Sequence, residues 1–153
     1  MPYLVDTSVL VRLANQQDAS YGIAWGAVIE LHRRGEVLHI TSQNLVEFLN
    51  VATRPLVNNG LGLSPVDAHK QLLQFEATFP LLAETEDIHP AWKALVSTLG
   101  VIGKQVHDAR LVAVCRVRAV SKVLTFNTSH FARLGTVGPA ISAVHPQDVQ
   151  SVP

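Results

Sequence analysis

The sequence predicts an α/β fold with a largely parallel central β-sheet flanked by helices. Short apolar runs, bounded by turn residues, alternate with longer segments of helical periodicity. Two of these runs end directly in polar residues, Asp6 and Thr125, as strands do where an open sheet meets its ligand crevice. The chain has 153 residues, of which 48% are hydrophobic. That suffices for one buried core without disulfides or a structural metal, so a single domain spanning 1–153 is expected.

Tyr3-Leu4-Val5 reads as a buried strand that ends at Asp6-Thr7-Ser8, a turn and helix start. A helix follows over Val9–Ala14. Gly22–Arg34 is a second helix, with Ile23, Ala27, Val28 and Leu31 at helical spacing and Gly35 placed to end it. Val37–Ile40 is the next strand. Thr41-Ser42 caps a helix that runs through Thr53 and stops before Pro55. Leu56–Leu63, with Asn58, Asn59, Gly60 and Gly62, is a loop. Ser64-Pro65 opens another helix with Asp67 in its first turn. Leu81-Leu82 is expected as a strand, Ile88–Leu99 and Val106–Val117 as helices, and Val120–Thr125 as a strand. A helical turn near Ser129 and a last strand over Ile141–Val144 complete the chain. No segment has the composition of a linker, repeat or low-complexity tract.

Composition excludes several classes. Charged residues are 16%, and twelve bases balance twelve acids, which excludes a disordered tail or a strongly basic nucleic-acid coat. One cysteine, Cys115, excludes an internal disulfide and a multi-cysteine zinc site. It lies in the apolar run Leu111–Val117 and reads as a buried thiol. No stretch is long and apolar enough to span a membrane, and Asp6 and Arg12 interrupt the N-terminal apolar run, so no signal peptide is expected. The expected location is cytoplasmic. The charges are uneven along the chain: Gly100–Arg133 holds six bases against Asp108 alone, whereas residues 1–99 hold ten acids and six bases. A basic third of this kind suits either an RNA-facing surface or an ordinary solvated helix face.

Three acids stand out. Asp6 follows the first strand, where Thr7 or Ser8 can cap the helix and leave Asp6 to face the crevice. Asp108 heads the stripe formed with Leu111, Val112 and Cys115. Such a carboxylate needs a cation partner or a solvent-filled crevice, because burying it unpaired is costly. Glu47 shares a helix face with Gln43, Asn50 and Arg54, opposite Leu45, Phe48, Leu49 and Ala52. By pattern alone that is a solvated face. Thr125 and Asn127 at a strand exit fit turn residues and equally fit oxygen donors. His107 and His130 read as surface or structural residues within reach of such a site.

Three carboxylates with an amide oxygen are hard ligands suited to Mg²⁺ or Mn²⁺. Near a phosphodiester such an ion lowers the pKa of water and neutralises developing charge. The fingerprints of dinucleotide, P-loop and nucleophile-elbow sites are missing, as are HExxH and an Asp-x-Asp after the first strand.

Four segments, in order along the chain, carry a family resemblance. They are Leu4-Val5-Asp6-Thr7-Ser8-Val9-Leu10, Asn44-Leu45-Val46-Glu47-Phe48, His107-Asp108-Ala109-Arg110-Leu111 and Leu124-Thr125-Phe126-Asn127-Thr128-Ser129-His130-Phe131. Together they resemble the PIN domain, and more narrowly the VapC-type toxins of toxin–antitoxin pairs. The resemblance implies a three-layer PIN-like fold and a metal-dependent endoribonuclease whose products carry 5′-phosphate and 3′-hydroxyl ends. It implies Asp6 and Asp108 as ligands of Mg²⁺ or Mn²⁺, with Glu47 binding directly or through water, and Ser8 and Thr125 in support. Asn127 departs from the family, where many members carry a further Asp, and weakens the case for a second tightly held metal. Arg12, Arg110 and Arg116 are candidate RNA phosphate contacts. A homodimer and a small cognate antitoxin are the implied partners. The competing readings are a PIN nuclease of RNA processing or turnover, and a PIN-like binding module with a weakened metal site.

Overall fold

The computed structural model describes residues 1–149; residues 150–153 of the expected domain lie outside the described part. Four parallel strands form the central sheet: β1 (Pro2–Val5), β2 (Val37–His39), β3 (Lys122–Leu124) and β4 (Ser142–Val144). Their spatial order is β2-β1-β3-β4, with Leu4 paired to His39 on one side and to Val123 on the other. Among the described residues seven α-helices flank the sheet: α1 (Thr7–Leu13), α2 (Tyr21–Arg33), α3 (Ser42–Thr53), α4 (Pro65–Thr78), α5 (Ile88–Leu99), α6 (Gln105–Val117) and α7 (Thr128–Ala132). The predicted α/β class is the observed one.

Strand alternation divides the core into two. Tyr3, Val5 and Leu124 face one layer with Val9, Val28, Leu31, Phe48 and Phe75. Leu4 and Val123 face the other with Leu95, Leu111, Val112, Cys115 and Phe131. Strands buried on both faces explain why they read as continuous apolar runs rather than alternating ones. The Phe48 and Phe75 rings meet edge to face, with centroids 5.0 Å apart, and join α3 to α4.

The predicted caps of α3, α4 and the end of α2 form as written. Thr41 and Asn44 make a reciprocal capping box at α3. Ser64 accepts from the Asp67 amide, and Pro65 starts α4. Gly35, at φ 78°, closes α2 by a Schellman motif: its amide donates to the His32 carbonyl and the Glu36 amide to that of Leu31.

Two local expectations change. Leu81-Leu82 forms no strand, only a single parallel bridge between Ile40 and Leu81. The Pro80 carbonyl accepts from the Ile40 amide and the Leu82 amide donates to the Ile40 carbonyl, after which no further pairing follows. Pro80 has no amide, and two apolar residues are too few to continue the ladder. The α1 helix starts at Thr7 rather than Val9, so Thr7 and Ser8 lie inside it and neither caps it. The N-cap residue is Asp6, through its backbone carbonyl; its carboxylate makes no cap bond.

Burial pushes the Cys115 thiol up to about 12, which keeps it protonated and inert. Ala119 ends α6 at φ 56°, a left-handed conformation that glycine adopts with less strain. Ala119→Gly should therefore raise stability by about 1 kcal/mol. An unchanged urea midpoint at an unchanged slope would show that the position is unstrained.

Candidate functional site

The carboxyl ends of β1 and β3 lie side by side, where strand order reverses about β1, and the two residues that leave them are Asp6 and Thr125. The Asp6 amide donates to the Leu124 carbonyl at 2.9 Å, so the sheet continues one bond past the strands. Asp6 is 5% exposed and Thr125 fully buried. Asp6 Oδ2 accepts from Ser8 Oγ at 2.7 Å and from Thr125 Oγ1 at 2.8 Å. Ser8 also accepts from the Phe126 amide, and Thr125 from the Asn127 amide. Among the described residues no hydrogen bond reaches Asp6 Oδ1. A carboxylate fixed at one oxygen is thus left with a lone-pair donor on the other.

Glu47 is half-buried. Its Oε2 accepts from Thr7 Oγ1 at 2.7 Å and its Oε1 from Gln43 Nε2 at 2.8 Å. Thr7 in turn accepts from Asn44 Nδ2, and Gln43 Nε2 also donates to the His107 carbonyl. Gln43 and Thr7 therefore tie α3 to α6 and to α1. Asn44 is fully buried, with its Oδ1 bonded to Thr41. Sequence pattern does not single out Thr7, Gln43 or Asn44 for such roles. For Asn44 a signal exists: 44, 48 and 52 lie on one buried stripe, and an amide there is as anomalous as Asp108 on its own stripe.

Asp108 accepts no hydrogen bond among the described residues. Its Oδ2 lies 3.6 Å from His130 Nδ1. Burial, then the Asp6 carboxylate and more weakly Glu47, push the Asp108 carboxyl up to about 6, against the pull of His130 and His107. The repulsion shows that the three acids from β1, α3 and α6 share one electrostatic neighbourhood. All three line a cleft of about 730 Å³, with Asn127, His107 and His130 also on its wall. Asn127 is exposed, and among the described residues its side chain makes no hydrogen bond.

The three arginines separate. Arg12 lines the cleft; its Nη1 donates to the Ser8 carbonyl, and its guanidinium lies 4.4 Å over the Phe126 ring. Arg110 is held bidentate by Glu84 at 3.0 and 3.2 Å and also donates to Gln43. Arg116 lies elsewhere, beside Cys115, Ser121 and Pro139, donating to the Leu134 carbonyl. The basic third of the sequence therefore does not gather at this cleft; Lys104 is its one Lys or Arg on the wall, and Arg54 joins from α3.

Among the described residues no three His, Cys, Asp or Glu side chains stand close enough to hold a metal ion as a ready-made cage. The donors still fit a hard cation. Among the described residues Asp6 Oδ1 and both Asp108 oxygens accept no hydrogen bond, with only His130 near Asp108 Oδ2, while Glu47 has both oxygens engaged by Thr7 and Gln43. One or two carboxylates with the balance of ligands from water is the ordinary habit of Mg²⁺.

A parallel α/β sheet with an acidic cleft at its strand ends defines the class of protein. The sequence matches the family model of the PIN domain over residues 3–137, and the chain belongs to that family. No curated protein sequence matches it. Among solved structures, it resembles that of VapBC2 from Rickettsia felis bound to a promoter DNA fragment, with TM-score 0.70 and 16% identity over 95% of this chain and 98% of that one. It also resembles that of VapBC-1 from nontypeable Haemophilus influenzae, with TM-score 0.69 and 14% identity over 97% and 100% of the two chains. The Mycobacterium tuberculosis toxin VapC20, described as cleaving the sarcin–ricin loop, matches with TM-score 0.62 and 21% identity over 86% and 94%. At these identities the likeness is one of fold. No helix among the described residues is long and apolar enough to cross a membrane.

The raised Asp108 carboxyl has a stability consequence. Its folded-state value of about 6 exceeds the ordinary 3.8, so between these values the folded state binds more protons than the unfolded state. Stability then falls as pH rises through that window. Asp108→Asn should stabilise the metal-free protein by about 2 kcal/mol at pH 7.5 and by little at pH 4. Equal shifts in the unfolding midpoint at both pH values would contradict this electrostatic account.

Proposed function

We propose that this PIN-domain protein is a metal-dependent endoribonuclease, and the toxin of a type II toxin–antitoxin pair. The observation that carries the nuclease reading is the convergence of Asp6, Glu47 and Asp108 on one cleft at the carboxyl end of the sheet. PIN domains are typically metal-dependent nucleases. Asp6 and Asp108 would hold a divalent Mg²⁺ or Mn²⁺ ion, with Glu47 taking part directly or through water. When bound, that ion supplies charge neutralisation for the phosphodiester and a lowered pKa for the attacking water.

The chain's own side chains do the rest. Ser8 and Thr125 fix the Asp6 carboxylate, which would otherwise rotate between competing geometries. Thr7 and Gln43 hold Glu47 facing the cleft. Asn127 offers an amide oxygen but no charge, so it adds polarity at the rim without adding to the repulsion among the acids. Arg12, cradled on Phe126, provides a fixed positive charge for substrate phosphate. The expected products carry 5′-phosphate and 3′-hydroxyl ends.

The toxin role draws on those neighbours in fold that were crystallised as VapBC and FitAB complexes, two of them with DNA. By that likeness one partner is an antitoxin protein; a second copy of this chain is the partner that the family resemblance implies. A PIN nuclease of RNA turnover would lack the adjacent antitoxin reading frame.

Purified protein, freed of any partner, should cleave RNA with Mg²⁺ or Mn²⁺ and not with EDTA. Loss of a group that holds the ion removes several kcal/mol of transition-state stabilisation, so Asp6→Asn and Asp108→Asn should each lower kcat at least about a hundredfold. Wild-type cleavage rates in either variant would remove the assignment.

A further inference from the structure

Arg54 is the C-cap residue of α3, seven residues after Glu47, hence about 10 Å further along the same helix face. It lines the cleft. Its Nε is buried and has no hydrogen-bond partner, and no ion pair reaches its guanidinium among the described residues. A buried N–H donor left unpaired is costly and rare in folded proteins. Two other buried nitrogens share that state, His39 Nδ1 and Arg116 Nε. Neither residue is on the cleft wall, and the Arg116 guanidinium already bonds the Leu134 carbonyl.

The backbone of Arg54 is held firmly. Its carbonyl accepts from the Gly62 amide at 2.8 Å, while the Leu61 and Leu63 amides close onto the Val51 and Ala52 carbonyls. Gly60 packs so close that a Cβ there would lie 2.0 Å from the Arg54 carbonyl oxygen. A rigid mount and a guanidinium that lines the cleft, with no hydrogen bond or ion pair among the described residues, make a preorganised receptor. Guanidinium presents a planar fork of donors matched to phosphate oxygens.

We propose that Arg54 is a substrate-binding residue that grips a backbone phosphate of the RNA strand next to the one cut at the acids. The inference rests on the nuclease reading above and names where the strand runs, along α3 from Glu47 towards the Gly60 loop. Arg54 binds and positions the strand; it does not touch the reacting atoms.

The test measures binding of a fluorescein-labelled single-stranded RNA to the full chain in EDTA, by anisotropy, from low to moderate salt. Cleavage is measured in parallel with Mn²⁺. Arg54→Ala should weaken binding and raise KM about tenfold and leave kcat within about twofold. It should also flatten the slope of log affinity against log salt by about 0.7, the share of a single neutralised phosphate on single-stranded RNA. Arg54→Lys should restore part of the affinity. Arg54→Gln, which keeps the apolar stem, guards against a folding defect and should bind as weakly as the alanine variant. Arg118→Ala, exposed and off the cleft, is the control. If the wild type cleaves while the alanine and glutamine variants keep its affinity, KM and salt slope, the inference is overturned and the nuclease reading stands. A kcat collapse without a binding change also overturns it. A wild type that neither binds nor cleaves RNA overturns both.

Discussion

The side-chain oxygens around Asp6 are the constraint on which the rest of the molecule turns. A carboxylate at 5% exposure beside two other acids is unfavourable unless its partners are fixed in advance. Ser8 and Thr125 supply those partners from α1 and from the end of β3, and both bonds fall on the same oxygen. They can do so only because β1 and β3 are neighbours in register, Val5 opposite Leu124. Two separate lengths of chain, 119 residues apart, are thus locked by one carboxylate. The parallel sheet gives Asp6 its position, and Asp6 in turn leaves an uncommitted oxygen at the cleft.

Around that anchor the acids are arranged unequally. Glu47 is saturated by Thr7 and Gln43, whereas Asp108 is left without a hydrogen bond and raised to about 6. A group held ready but unsatisfied stores a local destabilisation that a bound cation would relieve. The fold accepts this at one end of the sheet, while the buried strand residues Leu4, Val5, Leu38, Val123 and Leu124 pack into the two apolar layers.

Much of this was legible in the sequence, for physical reasons. Strand ends were readable from apolar runs that stop at polar residues, and helix ends from Thr41, Ser64 and Gly35, because caps act locally. Asp108 was readable because a charge on an apolar stripe breaks a pattern. Glu47 was not, since its helix face looks solvated; only the family resemblance singled it out. The pairing of Arg110 with Glu84, the remote place of Arg116 and the loop that mounts Arg54 depend on contacts between distant segments, which no local periodicity encodes. Leu81-Leu82 failed for the opposite reason: two apolar residues satisfy a pattern without enough backbone to sustain a ladder.

The central claim is that Asp6 and Asp108 form a divalent-cation site in this chain. Calorimetric titration of the metal-free protein with Mn²⁺ at pH 5.5, where Asp108 is still largely protonated, in two buffers of different ionisation heat, tests it most directly. The account predicts saturable binding with proton release, because a carboxyl that titrates near 6 gives up its proton to the ion, and loss of that binding in Asp6→Asn. Binding that is absent in the folded wild type, or unchanged in Asp6→Asn, would contradict it.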